Sequence, residues 1–348
     1  MNPATRNKFN MLSEHVKRQF GTDDPSRKFS VDPTLVQSLV ERQQESSDFL
    51  KDINVLRVSA QKGQRLGVGI GSPVAGRTDT NQKDRETTYV GSMDSDGYEC
   101  VQTNFDTHVS YSMMDSWSHL DDAIFRKKYS EAFVKRMALD RIMIGWNGKT
   151  AARETNRVEN PLLQDVNIGW LEKIRLNAPA QMMGYDGEGE ETSAEFKIGE
   201  GGNYGTLDAA VFDVISLLDE WHVGGDDLVL IVGRELWVSH GLTLYNESRA
   251  ATERNALQVW LASQAVAGLK TVTVPFFPAR GLLVTSYDNL SIYYQDGATR
   301  RAIIDNPKRD RIEEYLSSND AYVVEDYGKA GGIRSGAIKL KNEAGNWY

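Results

Sequence analysis

Residues 98–148 read YECVQTNFDTHVSYSMMDSWSHLDDAIFRKKYSEAFVKRMALDRIMIGWNG, and two different periodicities follow one another along this segment. The odd positions between Val101 and Met113 are apolar or β-branched, and the even positions between them are polar. This period of two predicts one half-buried strand from Tyr98 to Met113, about 50 Å long at roughly 3.3 Å per residue. Ordinary strands have about five or six residues, so this strand would be unusually extended.

The second half of the segment predicts a long helix. Ser116–Ile144 contains neither Gly nor Pro, and at about 1.5 Å per residue it would extend some 45 Å. Gly145 and Gly148 follow it as expected stop signals. Elements of this length build extended subunits that touch many neighbours, which favours a role in assembly over a role in catalysis.

The composition of the 348-residue chain is that of a folded, water-soluble protein. Hydrophobic residues make up 40% and charged residues 26%, and the length allows two or three subdomains. Apolar runs such as Leu228–Val232 are too short to cross a bilayer, and the N-terminal residues lack the apolar core of a secretory signal. We therefore expect no membrane partner and synthesis in the cytoplasm.

Cys100 is the single cysteine of the chain. One cysteine excludes an internal disulfide and a metal site made of cysteines alone. Because Cys100 falls among the even positions of the predicted strand, we expect an inert thiol on the polar face of that strand.

Charge is unevenly distributed along the chain. Residues 1–29 carry six basic and three acidic side chains, a net charge of +3, within a chain whose net charge is −9, so that the remainder carries −12. This negative excess argues against tight binding of duplex DNA through phosphate contacts. It also distinguishes a basic N-terminal head from an acidic body.

The basic head contains an apolar face. A helix over residues 4–20 is predicted because its apolar residues lie three or four positions apart. These residues are Phe9, Leu12, Val16 and Phe20. The face either packs on the body of the same chain or binds a partner. Both alternatives stay open, since the linker Gly21–Ser26 follows the helix and would let it move.

The residues after the head predict a capped helix, a strand and a long loop. Asp32 as N-cap and Pro33 at the first helical position indicate where the helix begins. Ile53–Val58 is predicted as a strand. Gly63–Gly97 is polar and punctuated by glycines, which is typical of a projecting two-stranded loop.

The second half of the chain reads as compact α/β structure, preceded by a flexible segment rich in Gly and Glu at Gly184–Gly205. Helices are predicted at Leu207–Trp221 and Thr252–Ala267, strands at Leu228–Val232, Thr271–Phe277, Gly281–Thr285 and Leu290–Gln295, and a charged β-like region at Arg300–Tyr327. The apolar residues expected to form the core are Val229, Ile231, Val272, Val274, Leu283 and Ile292.

Motifs that would indicate catalysis fail on spacing. Gly67–Gly71 lacks the G-x-G-x-x-G arrangement and does not follow a buried strand. Trp237–Gly241 lacks the first glycine of a nucleophile elbow, so Ser239 and His240 are predicted on a helix surface. No two of the five histidines stand three or four residues apart. We therefore predict no enzyme, no catalytic residues, no cofactor and no metal site.

Five segments carry a resemblance to a known family. They are QESSDFLKDINV (Gln44–Val55), NPLLQDVNIGWLEKIRLNAPAQMM (Asn160–Met183), LVLIVGREL (Leu228–Leu236), NLSIYYQDGATRRAIIDNPKRDRIEEY (Asn289–Tyr315) and YVVEDY (Tyr322–Tyr327). In order and spacing they resemble the major capsid protein of P-two-type tailed phages, the peduoviruses. The resemblance covers nearly the whole chain and weakens at Val74–Asp96, around Leu242–Asn255 and in the last fifteen residues.

The resemblance implies an α+β chain with the Hong Kong 97-type capsid fold. That fold has an N-terminal arm, an extended β-loop, a peripheral domain with a long spine helix, and an axial α/β domain that meets its copies around a local symmetry axis. The implied divisions are 1–29 (propeptide that interacts with a scaffold), 30–57 (N-terminal arm), 58–113 (extended loop and flanking strands), 114–205 (peripheral domain with spine helix), 206–295 (axial domain) and 296–348 (return to the peripheral domain and C-terminus).

The resemblance also implies a function. A major capsid protein of this family self-assembles into hexamers and pentamers of an icosahedral phage head around double-stranded DNA, which it would contact only non-specifically. Its partners would be its own copies, an internal scaffolding protein with protease activity, and the portal protein. The expected location is the virion, after assembly in the host cytoplasm. A cellular encapsulin-type compartment and an α/β enzyme remain alternatives.

A processing site follows from the same resemblance. The scaffolding protein directs procapsid assembly in that family and then cleaves the capsid subunit near its N-terminus. Arg27–Ser30 matches the family's cleavage region, so we expect cleavage between Phe29 and Ser30, in an exposed connection at Asp23–Val31. The residues expected to contact the scaffold are Phe9, Leu12, Val16 and Phe20. The alternative is that residues 1–29 remain on the subunit as a permanent arm.

Overall fold

The computed structural model of the protein describes residues 3–65, 75, 77–80, 82–85, 87, 97–116, 122–247, 265–341 and 345–348. These residues confirm the α+β class. The helices are α1 (Pro3–Phe20), α2 (Pro33–Glu45), α3 (Asp48–Asp52), α4 (Tyr111–Ser116), α5 (Asp122–Asn147), α6 (Trp170–Asn177), α7 (Leu207–Ile215) and α8 (Arg234–Glu247), with 3-10 turns at Pro179–Gln181, Tyr287–Asn289, Pro307–Arg309, Tyr327–Lys329 and Ser335–Ala337. The strands are β1 (Phe29–Ser30), β2 (Asn54–Val58), β3 (Lys62–Gln64), β4 (Gly97–Glu99), β5 (Val101–Asn104), β6 (Thr107–Ser110), β7 (Met182–Met183), β8 (Phe196–Ile198), β9 (Leu228–Val232), β10 (Ala265–Val266), β11 (Leu269–Val272), β12 (Leu282–Ser286), β13 (Leu290–Gln295), β14 (Arg300–Asn306), β15 (Arg311–Val324), β16 (Gly331–Ile333) and β17 (Ile338–Leu340).

The larger sheet is organised around β15, a strand of 14 residues. The strand order is β1-β14-β15-β13-β2, and β5 and β6 also pair with β15. β15 runs antiparallel to β13, β14, β5 and β6, whereas β13 and β2 are parallel. Strands β5 and β6, from the first third of the chain, therefore meet β13 and β14 on β15, and β2 and β1 extend the sheet beyond β13 and β14.

The single strand predicted from Tyr98 to Met113 is wrong, although its alternation is correct in part. Three strands are present instead, because β4 pairs with β3 whereas β5 and β6 pair with β15. From Val101 to Tyr111 the odd positions are buried or half-buried, and the even positions as far as His108 are exposed, whereas Met113 is exposed. Ser110 then accepts a hydrogen bond from the backbone N–H of Met113 at 3.3 Å, which caps α4 and ends the strand.

α5 corresponds to the predicted long helix. Its predicted first residue, Ser116, belongs to α4, and residues 117–121 lie outside the described part of the chain. The helix ends just before Gly148, the second of the two predicted stop signals. Gly145 lies inside the helix, where a Cβ would stand 2.2 Å from the ring of Trp170. The close approach of that ring, rather than helix termination, requires glycine at this position.

The second main sheet has the order β10-β11-β9-β12-β16-β7. Its central strand, β9, is buried at every residue. Leu228, Leu230 and Val232 pack with α7, whereas Val229 and Ile231 pack with the aromatic cluster around the end of α5. A strand that is covered on both faces needs a continuous apolar run, which is what the sequence of β9 supplies.

The predicted core is confirmed, but it joins the two sheets instead of filling one domain. The buried members are Val229, Ile231, Val274, Leu283 and Ile292, with Val272 half-buried against them. Leu290–Gln295 is a strand as predicted, yet as β13 it lies in the larger sheet, and β16 returns to the smaller one. The division predicted at residues 295 and 296 therefore crosses both sheets, and the domain boundaries stay a prediction.

Two helices of the second half differ from expectation. The helix predicted at Leu207–Trp221 already ends at Ile215. The helix predicted at Thr252–Ala267 falls mostly outside the described residues, and its end belongs to β10. Ala267 and Gly268 have φ angles of 51° and 81°, as a two-residue hairpin turn between β10 and β11 requires.

Candidate processing site and assembly surfaces

The apolar face of α1 is docked on the body of the same chain. Val16 is 1% exposed, and Phe9 and Phe20 are partly buried against the same cluster. The body contributes five buried side chains to this cluster. They are Val109, Tyr111, Met114, Ile303 and Ile312. Of the two alternatives that the sequence leaves open, the structure contains the helix docked on its own subunit.

Asp305 fastens the start of α1 to the body. Its carboxylate accepts hydrogen bonds from the Arg6 guanidinium and from the Tyr111 hydroxyl. Burial, followed by the hydrogen bond to Asp305, raises the pKa of Tyr111 to about 12, so this hydroxyl remains a proton donor at neutral pH. One carboxylate thus holds both the head helix and the first residue of α4.

The predicted scissile bond lies in an edge strand and not in the exposed connection expected at Asp23–Val31. In β1, Phe29 pairs with Arg301 and Ser30 pairs with Arg300. The flanking backbone is bonded as well, because Ile303 donates its N–H to the carbonyl of Pro25 at 2.8 Å and Val31 donates to Thr299 at 3.0 Å. Arg27 and Lys28 are exposed, as expected, but Phe29 is half-buried.

Aromatic contacts connect the end of α1 to the scissile bond. The ring centroids of Phe20 and Phe29 are 5.7 Å apart. The Arg301 guanidinium lies 5.0 Å from the centroid of the Phe20 ring, within the range of a cation–π contact. Arg301 also binds Glu314 of β15 at 2.6 Å. Phe20, at the end of the head helix, therefore contacts both Phe29 beside the scissile bond and Arg301 of the sheet.

Packing beneath α1 is incomplete. A cavity of about 180 Å³ lies between α1, α2 and α5, with Leu12, Leu35 and Phe133 among its lining residues. Interiors of proteins are close-packed, so α1 does not fill the space between these helices as a core element would. By comparison, α2 is firmly placed: Asp32 caps it by accepting from the Thr34 backbone N–H at 2.9 Å, as the sequence predicts.

The base of the predicted extended loop is an antiparallel hairpin. β3 and β4 pair with Gln64 opposite Gly97. Tyr98 packs against Tyr293 with ring centroids 5.0 Å apart, and Arg65 donates to the carbonyl of Val324 at 2.9 Å. Most of residues 66–96, including Gly67–Gly71, lies outside the described residues.

Several large apolar side chains are exposed on the part of the chain predicted as the axial domain. The most exposed is Phe212 on α7, at 61%. The other members of this group are Trp221, Val223, Val238 and Leu242. Exposed apolar side chains of this kind are candidates for contacts with other copies of the chain.

The histidine and cysteine predictions on exposure need correction. His240 is 8% exposed, so it lies inside and not on the surface of α8, whereas Ser239 is half-buried. Cys100 is fully buried instead of lying on a polar face, because the chain turns there between β4 and β5. Burial, followed by the charge of Asp320, raises the pKa of its thiol to about 12.

Within the described part of the chain, no three or more His, Cys, Asp or Glu side chains converge in a way that could hold a metal ion. His222 contacts the carboxylate of Asp326, Nε2 to Oδ2 at 3.0 Å. Within the same residues, each helix is too short or too polar to cross a lipid bilayer.

Sequence reasoning missed the residues that hold these segments in place. Arg301 and Asp305 lie on β14, next to Ile303, and nothing in their spacing indicates contact with the head. Arg141, in the apolar second half of α5, is a detectable signal, because a charge among buried residues needs a partner. That partner is Asp320 of β15.

The geometry defines the class of protein. A docked N-terminal segment, a hairpin at the base of the predicted loop, a long helix across a sheet and a second α/β sheet form a subunit of the Hong Kong 97 capsid type. A chain from the procapsid of satellite phage P4, in a structure that includes the size determination (Sid) protein, is similar with a TM-score of 0.79 and 39% identity, covering 98% of this chain and 99% of that one.

Sequence comparisons specify the family. The profile of the family described as phage major capsid protein, P2 family, matches residues 8–334. The capsid protein of Escherichia phage P2 is 42% identical over 94% of this chain and 93% of its own length. The major capsid protein of Serratia phage KSP20 is 41% identical over 86% of this chain and 87% of its own. The chain belongs to the P2 family of phage major capsid proteins, and it is a component of the virion that forms the capsid shell. This assignment favours the phage capsid over the cellular compartment.

Proposed function

We propose that the chain is a precursor subunit which assembles into hexamers and pentamers on an internal scaffolding protein, and which then loses residues 1–29 by cleavage between Phe29 and Ser30. Its role is structural and not enzymatic. The portal protein would replace capsid subunits at one vertex, and packaged double-stranded DNA would meet the shell only through non-specific contacts.

The observation that carries this proposal is the separateness of residues 1–29. Residues 3–20 form one helix with basic side chains, and residues 26–28 between that helix and β1 are exposed. The segment contacts the body through apolar packing, the Arg6–Asp305 pair and the pairing of Phe29 with Arg301. Exposed linkers are where proteases gain access. The core between the two sheets contains no residue of this segment, so its removal leaves that core intact.

Removal of the head would change the charge of the shell. The cleaved subunit carries a net charge of −12 instead of −9. If the head faces the interior, its loss makes the wall more acidic, and DNA is then less strongly held by phosphate contacts. A motor could pack DNA against such a wall without tethering it.

Shell closure would depend on many modest contacts. The extended loop reaches from the hairpin of β3 and β4 and would lie across a neighbouring subunit, while the exposed apolar residues around Phe212 and Trp221 would meet other copies. Each contact can be weak, because repetition around a closed shell makes the whole assembly cooperative.

Intact mass spectrometry of subunits from DNA-filled particles tests the processing proposal. We expect a chain that begins at Ser30 or within a few residues of it. Particles assembled with a protease-inactive scaffolding protein are the matched control, and their subunits should begin at Met1. A chain that begins at Met1 in DNA-filled particles would refute the proposal.

A further inference from the structure

We infer that α1 is a latch on the processing site: the bond between Phe29 and Ser30 is protected while the head is docked, and it opens when a partner takes hold of the apolar face of α1. The biological use of this latch depends on the processing proposed above. The latch itself is a property of the subunit alone.

The first step of the argument concerns the backbone. Proteases commonly bind a substrate as an added extended strand, through its N–H and C=O groups. β1 is extended, but it is an edge strand already paired to β14, and hydrogen bonds on both sides of it use Pro25 and Val31. A protease therefore needs this segment to leave the sheet before it can surround the bond.

The second step concerns the side chain beside the scissile bond. Phe29 packs against Phe20, the last residue of α1, and Arg301 lies over the Phe20 ring. If α1 leaves, Phe29 loses the ring that covers it and Arg301 loses its aromatic partner. Phe29 keeps its packing against Val31, Val36, Val40 and Tyr294, but β1 has only two residues, so the loss of the Phe20 contact weakens it.

The third step concerns how the latch opens. A cavity of about 180 Å³ leaves part of the apolar face of α1 without contacts on the body, and Val16 is the one described residue of the helix that is almost fully buried. The face proposed to bind the scaffold is the same face that is docked, so a helix cannot serve both partners at once. Scaffold binding and exposure of the bond are therefore coupled, and the coupling is reciprocal.

This competition gives an order of events. A free subunit keeps its head docked and its bond covered. A subunit whose head is held by a partner presents the bond. Cleavage is thus restricted to subunits that have joined the scaffold, without any recognition of the assembled state by the protease.

Chymotrypsin, which cleaves after aromatic residues, tests the latch on the purified full-length, unassembled subunit without any phage protease. Intact mass spectrometry follows the rate at which the 30–348 product forms. The test variant is Val16→Asp. The matched control is Met11→Asp, which makes the same change on the exposed face of the same helix, since Met11 is 47% exposed. We expect cleavage after Phe29 to be at least about tenfold faster for Val16→Asp and unchanged for Met11→Asp, because proteolysis follows the population of the open form.

Two further measurements distinguish undocking of α1 from unfolding of the whole subunit. Trp170 is fully buried, so an intact 30–348 product that is not cut after Trp170 shows that the body remains folded. Arg6→Ala removes only the exposed pair with Asp305 and should also accelerate cleavage, by a smaller factor. Equal rates for the parent, Val16→Asp and Arg6→Ala would overturn the latch. Particles whose subunits begin at Met1 would refute the processing proposal but leave this result standing.

Discussion

Arg141 of α5 and Asp320 of β15 form a two-point ion pair in the interior. Nε of Arg141 lies 3.0 Å from Oδ2 of Asp320 and Nη2 lies 3.1 Å from Oδ1, with the side chains 4% and 0% exposed. Arg141 also donates to the amide oxygen of Gln43 on α2 and to Ser318 on β15. One guanidinium therefore joins α2, α5 and β15, the longest strand of the sheet.

Arg141→Ala should lower the free energy of unfolding by about 3–5 kcal/mol, because it leaves the carboxylate of Asp320 buried without its counter-charge. Arg136→Ala is the control on the same helix. Arg136 is 56% exposed and pairs with Asp140 one turn away, so its loss should cost at most about 1 kcal/mol. Denaturant unfolding of the unassembled subunit measures both values. Similar losses for the two variants would contradict a structural role for the buried pair.

Ile231→Asp should prevent folding of the subunit and not merely its assembly. Ile231 is fully buried in the central strand β9, and an unpaired carboxylate there would be far from water. Val238→Asp introduces the same charge on the adjacent α8, where Val238 is 50% exposed, and this variant should fold. Circular dichroism and soluble yield distinguish the two. A soluble, well-folded Ile231→Asp subunit would show that β9 is misplaced.

Deletion of Gly71–Asp94 should leave a folded subunit that cannot form stable shells. The hairpin of β3 and β4 closes the base of this loop, so the body does not need the loop tip. A control that replaces the same residues with a Gly-Ser segment of equal length separates loop contacts from loop length. Electron microscopy counts the shells, and normal shells from the deletion would refute a role for the loop in assembly.

The thiol of Cys100 should be nearly inert in the folded, unassembled subunit. Its burial and the neighbouring Asp320 raise its pKa to about 12, and only the thiolate reacts with a disulfide reagent. In a Cys100→Ser background, Ser112→Cys supplies a thiol at an exposed position for comparison. At pH 8 we expect the thiol at position 112 to react at least about a hundredfold faster. Comparable rates would mean that the strand around Cys100 opens readily.

Elements specified by local chemistry were predicted well from the sequence. The start of α2 follows from Asp32 and Pro33, which act within one turn of each other. β9 follows from its five apolar residues in a row. The predictions failed where pairing with a distant segment of the chain determines the structure. β4 and β5 are separate strands because β4 pairs with β3 and β5 pairs with β15. The turn between them places Cys100 in the interior.

The candidate site shows the same division. The helix of the head was predictable from the spacing of Phe9, Leu12, Val16 and Phe20, but not the surface on which it lies. Phe29 pairs with Arg301, and Arg141 pairs with Asp320 across 179 positions of the chain. Contacts of this kind depend on topology, which a local pattern does not contain. The family resemblance supplied the architecture, and only the structure supplied the partners of the scissile bond.

The position of β15 late in the chain has a consequence for synthesis on the ribosome. β14, β13, β5 and β6 all require this strand, so the larger sheet cannot close until Val324 has been made. Contacts between distant segments also form slowly. A nascent subunit therefore stays unable to join a growing particle for most of its translation. Truncated chains that end before β15 cannot be incorporated into the shell.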